Sequence, residues 1–71
     1  MTIHIGDRVQ VIAPADRPTV GKVGTVEATG FVDGWFRVRL DRRFKTRQRY
    51  MYHVTELEKI VVDIQDVLHY I

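Results

Sequence analysis

The chain contains no cysteine, so neither a disulfide framework nor a thiolate metal site is open to it, and an intracellular, reducing, cytoplasmic setting is the expectation. Two prolines and five glycines in 71 residues are too few for a low-complexity or fibrous chain. No apolar run approaches the roughly 18 to 20 residues of a membrane span, and the start, "MTIHIGDRV", lacks a basic segment followed by an apolar core. A domain without membrane or secretory character is therefore expected. The length suits one small domain, near the lower limit at which a chain can bury enough apolar surface to fold.

Acidic residues are scarce in one place. The segment Arg37 to His53, "RVRLDRRFKTRQRYMYH", holds seven of the eleven Lys and Arg residues and a single acid, Asp41, a local balance of +6 in a chain whose total is +2. The remaining 54 residues thus sum to −4, and the basic character is a local footprint.

Chain patterning reads as β throughout this region. In "GDRVQVIA", Val9 and Val11 alternate with Arg8 and Gln10 as in a half-buried strand, and "PADRPTVG" follows as an irregular loop. "GKVGTVEATG" is a second strand in which Gly21 and Gly24 mark a bend, a bulge or the close approach of another strand. Asp33-Gly34 within "FVDGW" signals a tight hairpin turn. Beyond it, Phe36, Val38 and Leu40 take one face, and Trp35, Arg37, Arg39 and Asp41 the other. "RRFKT" is the expected turn. "RQRYMYHV" is a fourth strand with Gln48, Tyr50, Tyr52 and Val54 against Arg47, Arg49, Met51 and His53.

The C-terminal segment supports two readings. Thr55 and Glu58 have capping-box spacing, and Leu57, Ile60, Ile64, Val67 and Ile71 recur at steps of three and four, which is a helix. "KIVVDI" is instead rich in β-branched residues, which suits a tight turn at "VTEL", a last strand near residues 57 to 62 and a short helical or extended tail. The expected architecture is all-β, a small five-stranded barrel over residues 1–60 with an apolar extension over residues 61–71.

The residues Gly6, Asp7, Arg8, Val9 and Val11 ("GDRVQV"), Gly21, Gly24 and Val26 ("GKVGTV"), and then Val38 and Leu40, resemble an SH3-like barrel, and within that group the KOW-type modules of transcription and ribosomal proteins. The likeness spans about residues 5 to 60. It implies a closed barrel of short bent strands and a role on nucleic acid or with the machinery that handles it. Basic residues here concentrate in the third and fourth strands and their turn, where typical KOW modules carry them in the early loops.

Arg37 and Arg39 share a face with Arg47 and Arg49 if the two strands pair, and opposed like charges cost tenths of a kcal/mol up to about 1 kcal/mol per pair. A bound polyanion would offset that cost, because guanidinium groups match phosphate oxygens in forked geometry. The candidate nucleic-acid residues are Arg37, Arg39, Arg42, Arg43, Lys45, Arg47 and Arg49, with Trp35 in phase to stack on a base and Tyr50 or Tyr52 as weaker stacking candidates. Against this stands the plainer view that exposed arginines keep a small domain soluble.

A second reading makes the domain a protein-interaction module. Its arginine face would meet an acidic protein surface, and Val61, Ile64, Val67, Leu68 and Ile71 would dock on a neighbour or on a second copy, giving a homodimer. The same tail could instead fold back over its own barrel. No catalytic role is expected: His4, His53 and His69 lack metal-ligand spacing, the acids Glu56, Glu58, Asp63 and Asp66 look solvated, and "GKVGTVEATG" lacks a phosphate-loop pattern. No cofactor, metal or small-molecule substrate is expected.

Overall fold

The computed structural model describes residues 3–61. Five strands, β1 (Arg8–Val11), β2 (Val23–Thr29), β3 (Trp35–Phe44), β4 (Arg47–His53) and β5 (Leu57–Lys59), form one antiparallel sheet in the order β4-β3-β2-β1-β5. A three-residue 3-10 turn, Val54–Glu56, joins β4 to β5. The all-β, five-stranded expectation holds, including the tight turn before the last strand. Within the described residues, the predicted helix from Leu57 does not begin: Leu57, Glu58 and Lys59 pair with Val11, Gln10 and Val9 of β1.

Period-two patterning builds the core. Val9 and Val11 of β1, Val26 of β2, Val38 and Leu40 of β3, Tyr52 of β4 and Leu57 of β5 are buried in one cluster with Ile3. All five strands contribute their inner faces to it, so the sheet rolls around a single interior. Among the described residues no ladder joins β4 to β5, and the roll stays open there. Burying a side chain such as Leu40 contributes about 1.5 to 3 kcal/mol.

Gly24 lets β2 and β3 come together. A Cβ there would run into the Arg39 carbonyl oxygen and lie 2.9 Å from the Leu40 Cα, which is the close approach anticipated for this glycine. The β3–β4 hairpin is longer than expected. β3 continues to Phe44, and the turn shrinks to Lys45 and Thr46, with Lys45 in the left-handed region at φ 57°. Between the pairs Arg39–Arg49 and Phe44–Arg47, β3 advances five residues while β4 advances two, so Arg42 and Arg43 fall in an irregular stretch. The Gln48 side-chain amide donates to the Leu40 carbonyl at 2.8 Å across that gap.

The loop between β1 and β2 is tied to the end of β4 by Arg17. Its guanidinium lies over the Tyr52 ring, 4.5 Å from the centroid, and donates to Glu56 Oε2 at 2.7 Å and to the Met51 carbonyl at 3.4 Å. Glu56 in turn accepts from the His53 backbone N–H at 2.8 Å, while His53 Nδ1 accepts from the Thr55 N–H at 3.3 Å. The cap of this turn is therefore His53 with Glu56, not Thr55 with Glu58, and Glu56 is a paired, largely covered acid instead of a solvated one.

Candidate functional site

The outward face of β3 and β4 follows from alternation, because Val38, Leu40 and Tyr52 are turned inward. That face runs Trp35, Arg37, Arg39 on β3 and His53, Met51, Arg49 on β4, in directly opposed pairs. Arg39 thus confronts Arg49, while Arg37 confronts Met51.

A side chain from the third strand over resolves the repulsion. Val26 pairs with Val38 and Ala28 with Arg37, so β2 carries one extra residue, and that residue is Glu27. Its carboxylate lies 3.4 Å from Arg37 Nε, 3.4 Å from Arg39 Nε and 2.9 Å from Arg49 Nε. The Arg49 hydrogen bond, followed by the charges of Arg49, Arg37 and Arg39, holds the Glu27 carboxyl below the ordinary carboxylate range, against an opposing effect of desolvation. Three guanidiniums against one carboxylate leave 3 − 1 = +2 at this spot. The arginine side chains are 50%, 51% and 57% exposed, compared with 20% for Glu27, so the cations form the outer layer and the anion the inner one.

Asp41, the single acid of the basic segment, is also engaged. Arg8 clasps it with both terminal nitrogens, at 2.6 and 2.5 Å, and also donates to Thr25 Oγ1 at 3.0 Å. The Arg8 hydrogen bond lowers the Asp41 pKa. Asp7 is lowered chiefly by the hydrogen bond from the His4 backbone, with Lys59 at 3.3 Å adding to it.

The remaining candidates spread around the far end of the hairpin. Arg42, Arg43, Lys45 and Arg47 are exposed, and among the described residues none has a carboxylate within ion-pair distance. Arg47 does not join the Glu27 cluster. The β3 irregularity sets it opposite Phe44, and its guanidinium lies 4.7 Å over the Tyr50 ring. Lys45 and Lys22 approach the Phe44 ring at 5.7 and 5.6 Å.

Trp35 marks the other end of the strip. It packs edge-on against His53, centroids 5.3 Å apart, and remains partly exposed beside Met51. Tyr52 is unavailable for stacking: it is fully buried, its hydroxyl donates to Thr19 Oγ1 at 2.7 Å, and burial pushes its pKa up despite that bond. Tyr50 is half-buried with its hydroxyl on the Phe44 carbonyl at 3.2 Å. Both tyrosine hydroxyls thus have partners, as inner-face tyrosines need.

Sequence reasoning missed Phe31 and Val32. They read as the apolar flank of the Asp33-Gly34 turn, yet the turn keeps them out of the ladder. The Gly30 N–H donates to the Trp35 carbonyl at 2.7 Å and the Trp35 N–H to the Val32 carbonyl at 3.2 Å, closing a loop whose tip exposes Phe31 completely and Val32 by two thirds. Gly34 at φ 86° closes this loop beneath the His53 ring.

Val61 is exposed at the end of the described residues, whereas Ile64, Val67, Leu68 and Ile71 lie outside them. Among the described residues no three His, Asp or Glu side chains come together as a metal site, and no helix is long and apolar enough to cross a membrane. No protein-family model, curated protein or solved structure matches the chain.

Proposed function

We propose that this domain is a non-catalytic binding module that holds nucleic acid against the basic face of β3 and β4. The observation that carries the reading is the layered cluster of Arg37, Arg39 and Arg49 over Glu27, a net positive spot built on rigid strands. Nε, at the base of the guanidinium, is the nearest nitrogen to Glu27 in all three, which favours the outer fork of each arginine for a second oxyanion. Exposed Arg42, Arg43, Lys45 and Arg47 extend the positive field toward the hairpin end, where it would attract a phosphate backbone over a longer path. The strand order, with a 3-10 turn before the last short strand, is compatible with the SH3-like likeness read from the sequence.

An acidic protein surface is the competing partner, because Glu27 demonstrates that a carboxylate satisfies these arginines. Salt dependence of oligonucleotide binding tests the choice. Fluorescence anisotropy of a labelled oligonucleotide should give a Kd that weakens with salt at a log–log slope of about −0.7 per phosphate neutralised on a single strand. Changing Arg37, Arg39 and Arg49 together to Ala should flatten that slope by about 2. Absence of binding at low salt would refute the nucleic-acid reading and leave the acidic protein surface.

A further inference from the structure

Resting on that reading of the basic face, we infer that its nucleic-acid partner is single-stranded, and that Phe31 at the β2–β3 loop tip stacks on an unpaired base while the arginines hold the adjacent phosphates. The fully exposed ring of Phe31 and the exposed Val32 stand on a short closed loop whose last residue is Trp35. Trp35 opens the row that continues through Arg37 and Arg39, and Met51 stands opposite Arg37. The apolar tip therefore adjoins the end of β3 from which the cationic strip starts, with outward residues of β3 recurring about every 6.8 Å.

A duplex engages only half of such a surface. Its phosphates would meet the arginines, but its base faces are already stacked on one another, so Phe31 and Trp35 would gain nothing. A single strand supplies both parts, since each unpaired base offers a flat apolar face next to a phosphate. The base of the loop packs closely on the strip: a Cβ added at Gly30 would meet the Met51 methyl and Trp35, and one added at Gly34 would meet the His53 ring.

Trp35 is the only tryptophan in the chain, so intrinsic fluorescence reports directly on this end of the face. The probes are oligothymidylate of about 12 nucleotides, within the range of roughly 4 to 16 that small single-strand binding folds cover, and a duplex of equal length. The expected result is quenching of Trp35 by the single strand, tighter binding of the single strand than of the duplex, and at least about a fivefold loss of single-strand affinity in Phe31→Ala. Phe31→Trp should restore the affinity, a rescue that a purely structural role at so exposed a position would not produce. Equal binding of both probes with no effect of Phe31→Ala would overturn the inference and leave the basic-face reading standing. Failure of both probes to bind at low salt would overturn both.

Discussion

Arg39 and Arg49 stand directly opposite one another on neighbouring strands, and each leans on Glu27, Arg39 on Oε1 and Arg49 on Oε2. One carboxylate thus separates two cations that alternation alone would set against each other, and it also reduces the charge offered to any anion that docks outside. Glu27→Gln should tighten polyanion binding about twofold, because a phosphate on the outer forks lies roughly twice the ~4 Å at which unit charges in water interact by about 1 kcal/mol. The same change should lower the thermal midpoint at low salt, since the arginine pair loses its counterion. An oligonucleotide titration paired with a melting curve reads both, and unchanged affinity would mean Glu27 does not compete with the ligand.

Acid should loosen the domain through three carboxyls. Asp7, Glu27 and Asp41 all have pKa values lowered from 3.8, 4.5 and 3.8 respectively. The unfolded chain therefore binds protons first as pH falls, and the stabilisation, full above about pH 4.5, is lost as the pH drops through the lower folded values. Denaturant midpoints should be level between pH 7 and 5 and decline below about pH 4. A midpoint that holds steady down to pH 2.5 would contradict the ion-pair assignments.

Gly24→Ala should destabilise by about 1 to 3 kcal/mol, the usual cost of overpacking, because the new methyl meets backbone atoms of Arg39 and Leu40 that cannot swing aside. Chemical denaturation of the variant checks this. Since β3 would be displaced beside the arginine cluster, the loss of stability should be accompanied by weaker polyanion binding.

Tyr52→Phe should cost about 1 to 3 kcal/mol, because the buried Thr19 hydroxyl is left without its partner while the ring still fills the core. The double change Tyr52→Phe with Thr19→Val should recover part of that loss, as both polar groups are then gone. Additive losses in the cycle would show that the two hydroxyls do not interact.

Arg37 and Arg39 were legible in the sequence because β3 alternates from Trp35 to Asp41: Val38 and Leu40 inward fixes Arg37 and Arg39 outward without further information. Glu27 was not legible. Its role depends on an extra residue in β2 and on the register of β2 against β3, both of which are tertiary properties with no local signature in "TVEAT". Arg47 departed from the shared face for a similar reason, the uneven count of residues between Arg39 and the turn. Phe31 and Val32 carried the apolar character of a strand, but the hairpin closes at Gly30 and Trp35 and leaves them as a tip. Cap chemistry was misplaced by two residues because His53, not usually a leading N-cap residue, took the N-cap position three residues before Glu56.

The clamp formed by Arg17 and Glu56 also covers part of the free margin of the sheet. Among the described residues β4 pairs only with β3, and a bare strand margin invites another chain to add itself. At one end of β4 the outward backbone groups are already occupied, the Met51 carbonyl by Arg17 and the His53 N–H by Glu56. Strand addition would have to start at Arg47 and Arg49, where an incoming copy would bring the same cations, so pairing along this margin is disfavoured by occupied backbone groups at one end and by like charge at the other.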